Sequence, residues 1–187
     1  MHGLPGSGKS YTIAFIARLL VARGCRVLIT SYTHSAVDNM LMKIMEAGLG
    51  LDEEGNVTGD VIRIGKAKQC LPSLHSIVAT NFALACEQWG ASGNKIVPSP
   101  EISYPSCNSL RRVITMARVV GVSALTASKS SLLVGQNFDV VIVDEAGQIC
   151  QPAILGPLMA ANKFVLVGDH MQLPPLTKSK AAEVAGV

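Results

Sequence analysis

Gly3-Leu4-Pro5-Gly6-Ser7-Gly8-Lys9-Ser10 is the stretch that decides the fold of this chain. Its spacing, G-x-x-x-x-G-K-S, is that of the P-loop, in which glycines let backbone N–H groups turn inward around anionic oxygens. A helix beginning at Lys9 would point its positive end at the same place. Lys9 would then reach the β- and γ-phosphates of a nucleotide, and the Ser10 hydroxyl would ligate Mg²⁺. The nucleotide-binding residues predicted from this motif are Gly3, Pro5, Gly6, Ser7, Gly8, Lys9 and Ser10.

Composition places the chain among globular proteins. It has 187 residues, of which 49% are hydrophobic and 16% charged, enough for one domain with a core. The formal net charge of +3 permits a polyanionic partner without requiring one. A run of about 18 uncharged apolar residues is absent from the sequence, so we expect no membrane span. The 5 cysteines include no C-x-x-C pair, which favours a reducing compartment, the cytosol or the nucleus.

The start of the chain is unusual for a P-loop protein. The motif normally follows a buried strand of about five residues, yet only Met1 and His2 precede Gly3. We therefore expect a fragment in which the first strand, central to the sheet, is truncated.

The segments that follow alternate between helical and strand patterns. A helix is predicted over residues 9–23, because Ile13, Ile16, Ala17 and Leu20 recur at helical spacing. Short apolar runs indicate strands buried on both faces of a parallel sheet. The fold class is therefore α/β, a doubly wound and mostly parallel sheet with helices on both faces. The predicted strands of this kind cover residues 27–29, 119–123, 140–143 and 164–167, and residues 61–64 alternate like a short strand.

The connections are less regular. A second helix is predicted to begin near Ser35, which has capping-box-like spacing to Asp38. Loop insertions are predicted at about 48–60, which is rich in glycine and acidic residues, and at about 88–109. Residues 66–85 fit helix and strand equally, and a short helix is predicted over residues 113–117.

Two carboxylates follow the most apolar of the predicted strands. Residues 140–143 are Val-Val-Ile-Val, and Asp144 and Glu145 come directly after them. In P-loop enzymes an acid in this position holds Mg²⁺, here Asp144. Glu145 would deprotonate the attacking water, since a base must lie one water away from the γ-phosphate. After the next strand, the amide of Gln172 could detect the γ-phosphate because it both donates and accepts hydrogen bonds.

Polar residues also follow other predicted strands. The segment over residues 30–39, Thr-Ser-Tyr-Thr-His-Ser-Ala-Val-Asp-Asn, comes after one strand, and Ser123 ends another. Ligands bind at the carboxyl ends of the strands in such sheets. Hydroxyls and amides suit the phosphate oxygens of a nucleic-acid strand, although ordinary helix capping would also explain them.

Taken in order, these segments resemble superfamily 1 helicases, in the branch that contains the nonsense-mediated-decay helicase. Residues 30–39, together with Asp-Glu-Ala-Gly-Gln at 144–148 and Gly-Asp-His-Met-Gln-Leu-Pro-Pro-Leu at 168–176, look most like the replication nuclease-helicases that process Okazaki-fragment flaps. The resemblance is good over residues 3–47 and 119–187.

This resemblance implies that residues 1–187 are the first RecA-like lobe of an ATP-dependent DNA helicase, acting in the nucleus, with the cytoplasm as the alternative. ATP and Mg²⁺ would be its cofactors, and Lys9, Glu145 and Gln172 would be catalytic. A second lobe, which supplies arginine fingers, would be missing, as would the nuclease domain and its iron–sulfur cluster. The residues on the single-stranded DNA side would be Ser31, Thr33, His34, Asn39 and Ser123.

Other functions remain open from the sequence. The same motor could act on RNA, as relatives in decay and transcription termination do. The chain could also be a nucleotide- or nucleic-acid-binding module without hydrolysis. A small-molecule kinase is disfavoured, because it would have no need of the Gln-Leu-Pro-Pro segment that begins at Gln172.

Overall fold

A parallel sheet forms the centre of the molecule. The computed structural model describes residues 1–3, 6–92, 104–169 and 171–175, together with Ser179, Ala181 and Val184. Within them the chain forms five strands, and every pairing between them is parallel. The strands are β1 (Val27–Ser31), β2 (Val61–Arg63), β3 (Val119–Ser123), β4 (Phe138–Val143) and β5 (Ala161–Leu166). Their order across the sheet is β2-β3-β1-β4-β5.

Helices connect these strands. The α-helices are α1 (Lys9–Ala22), α2 (His34–Glu46), α3 (Ala79–Ser92), α4 (Cys107–Met116), α5 (Ala124–Ala127) and α6 (Gln151–Met159). Short 3₁₀ turns cover Ala67–Gln69, Pro72–Ile77 and Ala146–Gln148.

The core has two halves, one on each face of the sheet. On one face, α1 and α2 pack against side chains such as Ile29 and Ile142. On the other, α3 to α6 cover alternate strand residues such as Leu28 and Val141. Since successive strand residues point to opposite faces, β1 and β3 are buried over their whole length and β4 over most of it, whereas β5 is mostly exposed or half-buried. The predicted doubly wound α/β fold is confirmed.

The second helix begins differently from the prediction. Its N-cap is Thr33, whose hydroxyl accepts a hydrogen bond from the Ala36 N–H at 3.1 Å. Ser35 only donates to the Thr33 hydroxyl, and Asp38 turns inward to Arg63. The predicted capping box of Ser35 and Asp38 is therefore wrong, because the acid serves a buried ion pair instead.

The long predicted loop is shorter at both ends. α3 continues to Ser92 and α4 begins at Cys107, so helix covers parts of residues 88–109. Ser106 caps α4 by accepting from the Ser109 N–H at 3.1 Å. Its own N–H donates to the Glu87 carboxylate of α3 at 3.0 Å, which joins the two helices.

The residues before the P-loop lie at the outer side of β5. The Met1 ammonium donates to the Leu166 carbonyl at 2.6 Å, and the Gly168 N–H donates to the Met1 carbonyl at 3.2 Å. His2 and Gly168 form a parallel bridge. Residues 1–3 thus pair beyond β5, at an edge of the described sheet; the central position of the strand before the P-loop stays a prediction.

None of the helices in the described ranges is both long enough and apolar enough to cross a lipid bilayer.

Candidate nucleotide site

The P-loop turns sharply just before α1. Gly6 and Gly8 have left-handed φ angles of 76° and 79°, which glycine adopts without the steric cost of a Cβ. A Cβ built on either residue would meet no atom within 4 Å, so both glycines border open space. Gly8 is the N-cap of α1, and the positive end of that helix therefore faces the loop. Leu4 and Pro5, of which Pro5 is a predicted binding residue, lie outside the described residues.

Lys9 stands at the first position of α1 and folds back over the loop. Its ammonium donates a hydrogen bond to the carbonyl of Gly3. The Gly3 N–H donates in turn to the Gly168 carbonyl at 3.3 Å. The amine is thereby held between the loop and the residues that follow β5.

The two acids occupy the carboxyl end of β4. The Asp144 N–H donates to the Thr30 carbonyl at 2.9 Å, which extends the sheet by one bond. Glu145 has a φ angle of 52° and is the one non-glycine residue with a positive φ among those described. Such a conformation costs on the order of 1–3 kcal/mol and concentrates at functional sites. The turn directs the Glu145 carboxylate back to β1, where the Ser31 hydroxyl donates to it at 3.3 Å.

Burial changes the acidity of both groups. It raises the pKa of Asp144 above its ordinary value, while the Glu145 N–H and the positive charges of Lys9 and Lys43 act in the opposite direction. Burial also raises the pKa of Glu145; the neighbouring Asp144 charge raises it further and the Ser31 hydrogen bond lowers it. Ionised carboxylates in this position are poorly solvated, which favours their interaction with cations.

The predicted chemical groups meet around these acids. One small cavity of about 20 Å³ is lined by Lys9, Asp144, Glu145 and Gln172, with Gly168 and Asp169 beside them. A second cleft has a volume of about 370 Å³. Asp144 and Glu145 line both cavities. The second cleft is also lined by Ser10, Asn39, Lys43 and Glu46.

Gln172 is placed by the turn after β5. Its Nε2 donates to Asp169 Oδ2 at 3.4 Å, and the Met171 N–H donates to Asp169 Oδ1 at 3.0 Å. His2 Nε2 lies 3.5 Å from the same carboxylate oxygen. The Met171 hydrogen bond is the main cause of a lowered pKa of Asp169. Asp169, which the sequence did not single out, thus anchors the segment that carries Gln172.

The predicted nucleic-acid residues fall into two groups. Ser31 and Ser123 are only 1% and 3% exposed and face each other as the last pair of β1 and β3. Ser123 donates to the Thr126 hydroxyl at 2.8 Å, so both serines lie beneath the surface and are already bonded. Thr33 and Asn39 are exposed and His34 is half-buried. Asn39 lines the cleft beside Ser10, nearer the nucleotide site than the sequence indicated.

Lys43 is a site residue that sequence reasoning missed. Its ammonium lies 4.6 Å from the centre of the Tyr11 ring, a cation–π contact. The side chain lines the same cleft as Asp144 and lowers the pKa of that acid. Helical spacing could have found it, since residues 39 and 43 of α2 are one turn apart and share a face.

The donor set fits Mg²⁺. This ion prefers oxygen ligands and usually takes only one or two carboxylates, together with waters and substrate phosphates. Ser10 and Asp144 offer a hydroxyl and a carboxylate to one cleft. No group of three or more His, Cys, Asp or Glu that could hold a metal occurs among the described residues.

Curated relatives carry the same kind of sequence. The DNA replication ATP-dependent helicase/nuclease DNA2 of Saccharomyces cerevisiae is 37% identical over 186 residues, which are 99% of this chain and 10% of that protein. DNA2 of Xenopus laevis is 37% identical, and human DNA2 35%, each over 185 residues that make up 15% of the relative. The predicted resemblance to replication nuclease-helicases is confirmed, and the chain spans a small part of these relatives.

Solved structures agree on the fold. The complex of arterivirus nonstructural protein 10, a helicase, with DNA superposes with a TM-score of 0.51 at 14% identity, covering 96% of this chain and 30% of that one. The UvsW helicase of bacteriophage T4 gives a TM-score of 0.51 at 16% identity, over 89% of this chain and 45% of that one. The lobe therefore has the RecA-like fold of P-loop NTPases.

A family model described as an AAA domain, AAA_11, matches residues 1–88 and 99–180. Since these ranges make up most of the sequence, the chain belongs to the AAA_11 family of AAA domains.

Proposed function

We propose that this chain is the first motor lobe of an ATP-dependent DNA helicase of DNA replication and repair. The observation that supports this best is the meeting of Lys9, Asp144, Glu145 and Gln172 around one cavity. These residues are far apart in sequence, and each supplies a group that ATP hydrolysis requires. The curated relatives, whose names include both ATP dependence and helicase activity, support the same proposal.

ATP would bind along the P-loop. The backbone amides at the start of α1 and the Lys9 ammonium would hold the β- and γ-phosphates. Lys9 would exchange its bond to the Gly3 carbonyl for these oxygens. Ser10 and Asp144 would hold Mg²⁺, which neutralises charge on the phosphates when bound.

Glu145 would act as the general base. Its carboxylate takes a proton from the attacking water while the water oxygen bonds to the γ-phosphorus and the bond to the ADP oxygen breaks. The raised pKa makes this carboxylate a stronger base than an exposed glutamate. The Ser31 hydroxyl, 3.3 Å away, keeps it oriented.

Gln172 would respond to the γ-phosphate. Its amide lies exposed at the cavity that Lys9 and the acids line. Its hydrogen bond to Asp169 is long, at 3.4 Å, so exchange for a phosphate oxygen costs little. Loss of the γ-phosphate would release the segment after β5.

The DNA strand would cross the carboxyl edge of the sheet near the start of α2. Thr33, His34 and Asn39 would face it, while Ser31 and Ser123 would support the surface from below. A second lobe would close the groove and supply arginine fingers, which contribute on the order of 10³–10⁵ in rate in P-loop enzymes. We also propose a nuclear location, which the DNA replication named for the curated relatives supports, with the cytoplasm as the alternative.

Nucleotide binding by the purified chain tests the first part of this proposal. A fluorescent ATP analogue is titrated into the wild type, Lys9→Ala and Lys163→Ala. We expect the Lys9 variant to bind at least about tenfold more weakly, since it loses a charge-assisted contact. Lys163 is exposed on β5, away from the loop, and its variant should match the wild type. Equal affinity of all three proteins would refute the assigned site.

Hydrolysis is tested in the complete protein. Glu145→Gln should still bind ATP but lose about 10²–10⁴ in DNA-stimulated turnover, the usual contribution of a general base. Unwinding of matched DNA and RNA duplexes by the wild type then decides the substrate. Unchanged turnover of the Glu145 variant would remove it from the mechanism, and preference for RNA would refute the DNA assignment.

A further inference from the structure

A buried charge network lies beside the start of α2 and has no part in ATP hydrolysis. Arg63, the last residue of β2, is 0% exposed, and Asp38 of α2 is 1% exposed. Arg63 Nε donates to Asp38 Oδ1 at 2.7 Å. The other carboxylate oxygen accepts the Leu71 N–H at 2.8 Å. The pair therefore ties β2, α2 and the loop over residues 65–71 together.

The remaining donors of Arg63 identify the ionisation state of a neighbour. Nη1 donates to the Ile64 carbonyl at 2.6 Å, and Nη2 lies 3.1 Å from His34 Nδ1. A guanidinium has five N–H donors, no acceptor and a permanent charge. His34 Nδ1 must therefore be the acceptor and carry no proton. The proton of the neutral ring is then on Nε2, and a doubly protonated ring would put two donors face to face.

We propose that Arg63 and Asp38 are positioning residues that hold His34 as a neutral imidazole, with its Nε2–H offered to a phosphate oxygen of the single strand. This inference rests on the proposed function, because it takes the start of α2 to face nucleic acid. His34 is half-buried, and its Nε2 has no hydrogen-bond partner among the described residues. Nδ1 and Nε2 lie on different edges of the ring, so the inward bond leaves the other edge for a ligand.

The surrounding charges support a neutral ring. Burial is the main cause of a lowered pKa of His34, and the Arg63 charge lowers it further. Asp38 acts in the opposite direction but is itself paired with Arg63. Cys70, on the loop that wraps the guanidinium, has a pKa raised by burial and remains a thiol. A fixed neutral donor differs from the lysines of a nucleic-acid surface, because it binds phosphate without releasing counterions.

The ring state is measured directly on the wild-type chain. Long-range ¹H–¹⁵N NMR of a ¹⁵N-labelled sample distinguishes the two nitrogens of each histidine. We expect His34 to show a protonated Nε2 and an unprotonated Nδ1 at about pH 7. In Arg63→Lys, which keeps the charge but loses the planar fork, both tautomers should be populated. An imidazolium or a protonated Nδ1 in the wild type would overturn the positioning role, whether or not the chain binds DNA.

The donor role is measured by anisotropy with a labelled oligo(dT) at several salt concentrations. His34→Asn keeps an acceptor near Nδ1 for Arg63 but has no group at Nε2, so its fold is retained. We expect about tenfold weaker binding, the loss of one hydrogen bond to a charged acceptor, with an unchanged salt slope. His75→Asn, on the Pro72–Ile77 turn outside the network, is the matched control.

The two measurements separate the inference from the function on which it rests. Equal affinity of the wild type and His34→Asn, with the NMR result as expected, would overturn the donor role alone. Absence of oligo(dT) binding by the wild type at low salt would overturn the donor role and the proposed nucleic-acid face together. A reduced salt slope in His34→Asn would show that the ring binds as a cation, which also contradicts the proposal.

Discussion

Burial of charged side chains in the candidate site should lower the stability of the folded protein before any ligand binds. Asp144 and Glu145 are adjacent acids that burial keeps from full solvation. A carboxylate with a raised folded-state pKa destabilises the folded protein above that pKa, and the loss is recovered as the pH falls through it. Cations from Lys9, Lys43 and a bound metal would offset this cost. Without ligand, the wild-type lobe should therefore be less stable than a variant in which an amide replaces one of these carboxylates.

Asp144→Asn tests this at neutral pH. The amide keeps an acceptor oxygen for the Glu145 N–H but has no charge to desolvate. We expect a higher melting temperature than that of the wild type without ligand, and no increase in ATP affinity on adding Mg²⁺. Thermal denaturation and calorimetric titration measure the two effects. Glu53→Gln, on the exposed loop, is the control. If Mg²⁺ increases the ATP affinity of Asp144→Asn as much as that of the wild type, Asp144 is excluded as a metal ligand.

Thr30 offers a second residue-level test. It is buried in β1, and its hydroxyl has no hydrogen-bond partner among the described residues. An unsatisfied buried hydroxyl destabilises a protein by about 1–3 kcal/mol. Thr30→Val has the same shape without the hydroxyl and should raise the free energy of unfolding by about 1 kcal/mol. Urea denaturation measures this, with Thr30→Ser, which loses the methyl group instead, expected to be less stable than the wild type.

Among the elements, α2 takes part in three separate features of the structure. Its first residues carry the cap and His34, its middle holds Asp38 against β2, and its exposed face brings Asn39 and Lys43 to the nucleotide cleft. Gly121 in β3 lets the helix approach closely, because a Cβ there would lie 2.6 Å from Leu41. Movements of this helix would therefore link the nucleotide cleft to the proposed strand-binding face.

The cap of α2 can be tested by a matched pair. Thr33→Ala removes the hydroxyl that accepts the Ala36 N–H and should lower the free energy of unfolding by about 1 kcal/mol. Ser35→Ala removes only a weak contact to Thr33 and should change it by less than about 0.5 kcal/mol. Chemical denaturation compares the two. A larger loss of unfolding free energy in Ser35→Ala than in Thr33→Ala would support the capping box that was predicted from the sequence.

The contact between His34 of α2 and Arg63 of β2 should make the free energy of unfolding depend on pH. The pKa of His34 is lowered in the folded chain, so the unfolded chain takes up a proton first as the pH falls below about 6.5. The stability that the neutral ring contributes is therefore fully present above about pH 6.5. It is lost as the pH falls from there to the lower pKa of His34 in the folded chain. The urea midpoint of the wild type should fall relative to His34→Asn between about pH 7.5 and 5. A constant difference between them would contradict the neutral ring.

Elements with a strong local pattern were predictable, and those set by distant contacts were not. The helix after the P-loop and the strand before Asp144 follow from periodicity and apolar runs. The buried ion pair of Asp38 and Arg63 was missed because each residue has a local explanation in the sequence. Asp38 resembles a helix-capping acid, and Arg63 resembles a solvent-facing residue of an alternating strand. Residues 66–85 remained undetermined because they form 3₁₀ turns and the start of α3, which periodicity distinguishes poorly.

At the scale of the whole molecule, the lobe brings Lys9, Asp144, Glu145 and Gln172 to one cavity, but we expect little ATP turnover from it alone. The purified chain should hydrolyse ATP slower than the complete protein by on the order of 10³–10⁵, the contribution of arginine fingers. Phosphate release with and without oligo(dT) measures this. Robust DNA-stimulated turnover by residues 1–187 would refute the need for a second lobe.

The class of the whole fold was predictable, because it follows from the P-loop and from apolar runs that alternate with helical patterns. The lateral order of the strands was not, since it depends on pairing between distant segments. For the same reason the sequence did not show that residues 1–3 pair with the segment after β5.

The backbone of Glu145 has one further consequence. Its φ of 52° suits glycine better than glutamate, so Glu145→Gly would relax the turn while removing the proposed base. A laboratory evolution experiment that rewarded only heat resistance should enrich glycine at this codon and yield robust but inert proteins, whereas one that rewarded growth should retain the acid despite its conformational penalty.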